Sequence, residues 1–393
     1  MEERPKILIV DDEPYNVDYL EQELEDLDYA TISAANGREA LDLITTDSPD
    51  VILLDIMMPV MDGFEVLSRL KADETWRHIP VVVISALSDM DSIVKGIELG
   101  AEDYLPKPFD PTLLQARLKA CLEKKRLRDI EQLYLLSLER ELEIGREIQA
   151  GFLPEVIPQP ENWEIAAYLE PAREVAGDFY DVFPLPGNNL GIVLGDVCDK
   201  GVGSALYMAL FRTLLRTTSN PGLMAGSIDE QDATFDSATC LKNAVCMVNN
   251  YICTVHNSAT FATLFFGVLD PSSGSLLYTN AGHEPPLILN RGKIKSKLMP
   301  TGPAVGFLEE VEYNTAETRL EPKDTLFIFT DGVTDVQNSD GEMFERDRFL
   351  SLLDKPVKSP QSLVDHITSN VFAFIGETPQ YDDITLLAVR RKS

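Results

Sequence analysis

Five side chains in the first third of the chain are of the types that bind and transfer phosphoryl groups. They are Asp11, Asp12, Asp55, Ser85 and Lys107, and each ends or follows a short apolar run. If these runs are parallel strands, all five meet at the carboxyl edge of one sheet. Clustered carboxylates bind a hard cation such as Mg²⁺. The cation and the lysine would offset phosphoryl charge, so Asp55 is predicted to act as a nucleophile toward phosphorus.

A simpler alternative exists for each of these aspartates. A single Asp after a strand is more often the cap of the next helix than a ligand. Four separate strand ends that carry such residues together make the cluster more specific than any one of them. Ser85 would then bond the resulting phosphate.

Four aspartates in the second half share another pattern, because each lies at the end or edge of a strand-like run. They are Asp178, Asp196, Asp331 and Asp382. Oxygen ligands alone suit Mg²⁺ or Mn²⁺ and not zinc, and two such ions can activate a bridging water for attack on a phosphate. The alternatives are a hairpin turn at Asp331–Gly332 and a loop at Asp196 that leads into the next helix.

The elements that must position these residues differ between three regions. Residues 1–122 alternate buried strands (Lys6–Val10, Val51–Leu54, Val81–Ser85) with helical patterns, which predicts an α/β domain with a parallel sheet. Residues 123–150 form a linker that belongs to a charged helical stretch beginning near Pro111. Its apolar positions 127, 130, 134, 138 and 142 fit either a short coiled coil or a helix that packs on its own domain.

Residues 151–393 have a different sequence pattern, in which strand-like runs dominate and separate helices interrupt them. This pattern predicts an antiparallel α+β layer fold. The polar, turn-rich stretch from Thr217 to Thr239 is predicted to be a mobile loop.

Composition narrows the classes of partner. The 393 residues are 44% apolar and carry a formal net charge of -31, which makes nucleic acid and membrane surfaces poor partners. Five cysteines without regular spacing fit free thiols in a reducing compartment. The N-terminus has no apolar signal core and no run is long enough to span a bilayer, so a cytoplasmic location is expected.

The first region resembles the receiver domain of two-component response regulators. The motifs that carry the resemblance are Ile9-Val-Asp-Asp-Glu-Pro14, Leu54-Asp-Ile-Met-Met-Pro-Val-Met-Asp-Gly63, Ile84-Ser-Ala86 and Asp103-Tyr-Leu-Pro-Lys-Pro-Phe109. The resemblance implies a flavodoxin-like five-stranded parallel sheet and phosphorylation of Asp55 by a sensor histidine kinase. It also implies Mg²⁺ on Asp12, Asp55 and the Met57 carbonyl with Asp11 assisting, a switch through Ser85 and Tyr104, and a cis Lys107–Pro108 peptide.

The last region resembles the PPM protein phosphatases of the RsbU/SpoIIE type. The motifs are Val175-Ala-Gly-Asp-Phe-Tyr-Asp181, Gly195-Asp-Val-Cys-Asp-Lys-Gly201, Asn280-Ala-Gly-His-Glu-Pro-Pro-Leu287, Thr330-Asp-Gly-Val-Thr-Asp335 and Asp382-Asp-Ile-Thr385. The resemblance implies an antiparallel β-sandwich flanked by helices and two Mn²⁺ or Mg²⁺ ions bridged by Asp196. The Val197 carbonyl and Asp178, Asp331 and Asp382 would complete the ligands, and the substrate would be a phosphoserine or phosphothreonine.

Departures from the phosphatase pattern affect the acid and not the metal ligands. Cys198 stands where many eukaryotic members of the wider family have a histidine that is proposed to protonate the leaving group. His283 reads best as a structural histidine. Arg173 either contacts phosphate or pairs with a carboxylate. Phe344-Glu345 replaces the usual Phe-Gly.

Together the two resemblances predict a response regulator whose phosphorylation at Asp55 controls a metal-dependent protein phosphatase. The implied substrate is a phosphorylated STAS-type anti-sigma-factor antagonist in a partner-switching pathway. We expect a homodimer through the linker helix, which would carry the signal between the domains. The alternative is a receiver-controlled binding module that sequesters a partner with a catalytically weak phosphatase-like domain.

Overall fold

A computed structural model describes residues 4–86, 90–220, 236–256 and 260–392. The chain forms two compact units, Met1–Leu138 and Glu139–Ser393. One helix, α5 (Pro111–Ala150), contains the boundary between them. This boundary falls within the predicted 123–150 linker, whose limits stay a prediction.

The first unit is a five-stranded parallel sheet with strand order β2-β1-β3-β4-β5. Its apolar strands are buried on both faces, where helices cover them. The predicted α/β class is confirmed. The elements in chain order are β1 (Lys6–Val10), α1 (Pro14–Asp26), β2 (Ala30–Ala34), α2 (Gly37–Asp47), β3 (Val51–Asp55), α3 (Gly63–Ala72), β4 (Val81–Ala86), α4 (Met90–Glu98) and β5 (Asp103–Lys107).

The apolar stripe predicted on the linker lies on the exposed surface of α5. The side chains of Leu127, Ile130, Tyr134 and Leu138 are between 37% and 64% exposed. The alternative in which this stripe packs on its own domain therefore does not hold for these four residues. The coiled coil stays a prediction.

The second unit is a sandwich of two antiparallel five-stranded sheets, ordered β13-β10-β9-β8-β7 and β12-β11-β14-β15-β6. Its strands are β6 (Trp163–Glu170), β7 (Phe179–Leu185), β8 (Asn189–Val197), β9 (Ala262–Leu269), β10 (Ser275–Ala281), β11 (Leu287–Asn290), β12 (Lys293–Lys297), β13 (Ala316–Arg319), β14 (Asp324–Phe329) and β15 (Ile384–Arg391). Apolar side chains from both sheets, among them Trp163, Phe265 and Ile328, fill the space between them.

Helices cover the outer faces of this sandwich. Helices α6 (Val202–Ser219) and α7 (Ser237–His256) pack on one sheet, and α8 (Arg346–Leu352) and α9 (Pro360–Ile375) pack on the other. The predicted β-sandwich flanked by helices is confirmed. The predicted loop 217–239 is partly wrong, because residues 217–219 end α6 and 237–239 begin α7; residues 221–235 lie outside the described ranges.

The described helices include none that is both long and apolar enough to cross a membrane.

Candidate active sites

The first candidate site lies at the carboxyl edge of the parallel sheet, where three aspartates converge. Asp11, Asp12 and Asp55 each offer one oxygen, and these oxygens lie within 4.8 Å of one another. Asp11 and Asp55 are buried, whereas Asp12 is exposed. Lys107 Nζ lies 2.9 Å from Asp11 Oδ2 and 3.1 Å from Asp55 Oδ2. An oxygen-only cluster with one open side fits a hard divalent cation.

Opposing effects act on the charges of this cluster. Burial raises the pKa of Asp55, and the nearby Lys107 ammonium opposes that increase. Burial alone would lower the pKa of Lys107, but hydrogen bonds and charge from Asp11 and Asp55 raise it on balance. The lysine is therefore held as a cation beside Asp55, where phosphoryl charge would develop.

The helix-cap alternative does not account for these aspartates. Helix α1 begins after Glu13, and α3 is capped by Asp62. Asp11 instead accepts hydrogen bonds from Glu13 N and Asn16 Nδ2, which fix its carboxylate beside the lysine. The Lys107–Pro108 peptide is cis, as predicted.

The other predicted receiver residues have different partners. Ser85 is buried at the end of β4, and its hydroxyl donates to the Ala86 carbonyl at 3.2 Å. Tyr104 on β5 stacks with Arg117, whose guanidinium lies 5.6 Å from the ring centre. The Met57 side chain is 76% exposed, and its carbonyl stays a predicted ligand.

The second candidate site lies at one end of the sandwich and draws carboxylates from both sheets. Asp178 directly precedes β7 and Asp196 lies near the end of β8, while Asp331 follows β14 and Asp382 precedes β15. Asp196 belongs to a strand and not to the alternative loop. Asp331 opens a short 3₁₀ turn after β14 and not a hairpin, because β14 pairs with β11 and β15.

These carboxylates repel one another, and burial increases the effect. Burial, then Asp331 and Asp382, raise the pKa of Asp196 to about 7. Burial and Asp196 raise the pKa of Asp178, and burial and Asp382 raise that of Asp331. Asp178 is buried, Asp196 and Asp382 are half-buried and Asp331 is exposed. Clustered carboxylates that repel one another in this way are suited to divalent cations.

The spacing of this set differs from that of the receiver cluster. Within the described ranges, single oxygens from three acidic residues come within 4.8 Å of one another only at Asp11, Asp12 and Asp55. Asp178, Asp196, Asp331 and Asp382 offer oxygen ligands only, the donor type that suits Mg²⁺ and Mn²⁺. By donor chemistry these residues fit the implied metals.

Hydrogen bonds orient Asp178 from the opposite sheet. Its Oδ2 accepts from Thr330 Oγ1 at 2.8 Å and from Thr385 Oγ1 at 2.6 Å. Asp383, which the sequence reasoning did not assign, accepts from the backbone N–H groups of Ala172 and Gly177 at 2.7 and 2.6 Å. Asp383 thereby fixes the segment that leads to Asp178.

Two further sets of buried contacts, made by Gln149 and by Asp181, were not predicted from the sequence. The Gln149 amide bonds both backbone groups of Ala176: its Nε2 donates to the carbonyl at 2.6 Å and its Oε1 accepts from the N–H at 2.9 Å. Asp181 on β7 pairs with Arg212 and Arg216 of α6, each at 3.1 Å. Asp181 appears in the family motif, but neither contact follows from residue type.

The departures noted in the sequence have local explanations. Burial raises the pKa of Cys198, and its sulfur accepts a hydrogen bond from Phe261 N. His283 is buried, with Nδ1 2.9 Å from Thr263 Oγ1, as suits a structural histidine. Glu345 has φ 59, the left-handed conformation that favours glycine.

Arg173 lines a cavity of about 660 Å³ beside the second site, together with Cys198, Lys200, Tyr207 and Thr260. The described residues include no carboxylate within ion-pair distance of Arg173. Its contact with phosphate stays a prediction.

Family models and relatives match both units. The model "Stage II sporulation protein E (SpoIIE)" matches residues 186–392, and "Response regulator receiver domain" matches residues 7–119. Protein IcfG of Synechocystis is 43% identical over 263 residues, which are 64% of this chain and 41% of IcfG. Response regulator PleD of Caulobacter vibrioides is 46% identical over 124 residues, 32% of this chain and 27% of PleD. The chain thus spans less than half the length of these two relatives.

A solved structure supports the fold of the second unit. The SiaA-PP2C domain of Pseudomonas aeruginosa superposes with a TM-score of 0.52 at 22% identity, covering 65% of this chain and 98% of that domain. The SpoIIE match covers more than half of the chain. The chain belongs to the SpoIIE family, with a PPM-type phosphatase domain that follows a response regulator receiver domain.

Proposed function

We propose that this protein is a metal-dependent phosphoserine/phosphothreonine protein phosphatase controlled by phosphorylation of its receiver domain. The observation that carries the proposal is the convergence of Asp178, Asp196, Asp331 and Asp382 from two sheets, with raised pKa values at three of them. All four carboxylates are retained, which argues against a degenerate scaffold that only sequesters a partner.

Each ligand residue has a proposed place at the phosphatase site. Asp196 would serve two Mn²⁺ or Mg²⁺ ions, with Asp178 on one ion and Asp331 and Asp382 on the other. The Val197 carbonyl would be a further ligand. When bound, the ions supply water activation and charge neutralisation. Thr330 and Thr385 hold Asp178 in one orientation.

The proton for the leaving group does not come readily from Cys198. Burial raises the pKa of this thiol, and it lies in the cavity beside the site where a phosphorylated side chain would enter. A neutral thiol that holds its proton tightly is a weak general acid. We expect solvent to donate this proton.

The receiver is the proposed input. Asp55 would accept a phosphoryl group from a sensor histidine kinase, and Mg²⁺ would be held by Asp11, Asp12, Asp55 and the Met57 carbonyl. Lys107 would offset charge on the phosphoryl oxygens. Ser85 and Tyr104 would have to leave their present partners to serve as the predicted switch.

Helix α5 is the proposed route between input and output. It is continuous from Pro111 to Ala150, and its last turn holds Gln149, which bonds Ala176 two residues before Asp178. Its exposed apolar stripe would bind a second copy of the chain. A change in helix pairing would then reach a metal ligand through Gln149.

The proposed substrate is a phosphorylated STAS-type anti-sigma-factor antagonist. The test uses the full chain with Mn²⁺, and candidate phosphoproteins are assayed with and without beryllofluoride, which mimics the phosphorylated receiver. Wild type should release phosphate, Asp196→Asn should not, and Asp55→Ala should lose the response to beryllofluoride. A wild-type protein that binds these phosphoproteins but releases no phosphate would favour the sequestering module.

A further inference from the structure

Lys200 makes three contacts with the segment that carries Asp382. It lies in the loop between β8 and α6, and its Nζ is 3.1 Å from Asp382 Oδ2. The same ammonium donates a hydrogen bond to the Tyr381 carbonyl oxygen and lies 3.8 Å from the centre of the Tyr381 ring. These contacts hold one cation against one carboxylate of the proposed metal site.

The residues on both sides of Lys200 have positive φ values. Its two neighbours, Asp199 and Gly201, have φ values of 68 and 88, in the left-handed region that is uncommon for residues other than glycine. The side chains of Lys200 and Asp382 are 25% and 32% exposed. The ion pair is therefore partly shielded from solvent and is stronger than a pair between fully exposed side chains.

Asp382 differs from the other three carboxylates of the proposed metal site because it forms an ion pair with a basic side chain. Within the described ranges, Asp178, Asp196 and Asp331 have no Lys or Arg nitrogen at ion-pair distance, whereas Asp382 has Lys200. A divalent ion on Asp178 and Asp196 meets no internal competitor. An ion that bound Asp382 through Oδ2 would have to displace the Lys200 ammonium, which lies 3.1 Å from that oxygen.

We propose that Lys200 is a built-in counter-cation that competes with one of the two divalent ions for Asp382. This inference rests on the proposed metal-dependent phosphatase. Lys200 neutralises Asp382 when that position holds no ion, and it makes the two positions unequal in affinity. The second ion therefore binds only at higher free metal concentration, once the lysine has moved away.

The test measures metal binding directly and does not depend on activity. The full chain carries Asp12→Asn and Asp55→Asn in every sample, which removes two of the four proposed receiver ligands. Mn²⁺ is titrated into the chelator-treated protein by calorimetry. Lys200→Gln should tighten the weaker Mn²⁺ site by about fivefold or more, the factor expected when a partly exposed ion pair of about 1 kcal/mol is lost. Lys200→Arg should stay near the parent protein.

Lys242→Gln is the matched control, because Lys242 also pairs with a carboxylate of the same unit, Glu312 at 3.6 Å, and is far from the site in sequence. It should leave both Mn²⁺ affinities unchanged. Unfolding temperature at rising Mn²⁺ gives a second measure, and Lys200→Gln should reach its plateau at lower metal concentration.

The outcomes separate this inference from the proposed function. If Lys200→Gln binds Mn²⁺ at both sites with the affinities of the parent protein, the counter-cation proposal is wrong. It is also wrong if Lys200→Gln binds Mn²⁺ more weakly than the parent, because Lys200 would then position Asp382 for binding. Absence of Mn²⁺ binding in every sample overturns the metal-dependent phosphatase as well.

Discussion

Gln149, in the last turn of α5, bonds both the carbonyl and the N–H of Ala176, two residues before the proposed ligand Asp178. The side chain is buried, so its partners would be left without hydrogen bonds if it were removed. This pair joins the last turn of α5 to the segment that leads to Asp178.

We therefore expect Gln149→Ala to lower both the free energy of unfolding and the phosphatase rate. The stability loss should be about 2 kcal/mol because two buried backbone groups lose their partner. The rate should fall about tenfold or more, because the Asp178 segment loses its support. Chemical unfolding and phosphate release at saturating Mn²⁺ measure the two effects.

Gln159 provides a matched control for this variant. Its side-chain amide makes the same two kinds of hydrogen bond with Ile165, accepting from the N–H at 2.9 Å and donating to the carbonyl at 2.8 Å. Ile165 lies on β6 and is not beside a proposed ligand. Gln159→Ala should lose stability and keep its rate. Equal rate losses in the two variants would show that Gln149 acts only through general stability.

Asp181 should be essential for stability and not for metal binding. It is 1% exposed and pairs with Arg212 and Arg216. Asp181→Ala leaves the buried Arg212 charge without a partner, so we expect a loss of about 3 kcal/mol or more in the free energy of unfolding. Arg216→Ala, at a side chain 37% exposed, should cost clearly less. Urea unfolding of both variants measures this order, and equal losses would contradict it.

His283 should make the phosphatase domain sensitive to acid. Burial lowers its pKa from the ordinary 6.5 to about 4, so the folded state favours the neutral ring. The unfolded state binds more protons between these two values. This contribution to stability is therefore complete above pH 6.5 and is lost as the pH falls toward 4, by about 3 kcal/mol in total.

The effect of His283 is isolated by comparing wild type with His283→Gln in urea unfolding at several pH values. Other groups contribute equally to both proteins, so the difference between the two curves should narrow as the pH falls from 6.5 to 4. Parallel curves over this range would contradict the assignment.

Gly332 should tolerate no side chain, although its backbone conformation does not require glycine. A Cβ at this position would overlap the carbonyl oxygen of Asp383, and Gly332 lies between Asp331 and the segment that carries Asp382. Gly332→Ala should displace these ligands and lower the phosphatase rate by about 100-fold or more. Gly145→Ala, whose Cβ would meet only Val175 at 3.8 Å, should remain as stable as wild type or gain slightly. A phosphatase rate in Gly332→Ala equal to that of wild type would contradict the prediction.

The sequence by itself determined the elements and the residues that carry chemistry. Apolar runs such as Val51–Leu54, and the strand-like runs of residues 151–393, follow from local apolar patterns. Aspartates at strand ends, such as Asp55 and Asp196, were identified because a sheet brings strand ends together whatever the loops between them do. Family motifs then indicated which of these aspartates share a site.

Only the tertiary structure decided how those residues are held and charged. Gly177 and Asp383 are 206 positions apart in the chain, and Lys200 and Tyr381 are 181 apart, so no local pattern predicts their contacts. Many of these partners are backbone groups, which every residue carries and which leave no mark in the sequence. The side chains that orient the proposed ligands could therefore be identified only from the packing of the two sheets.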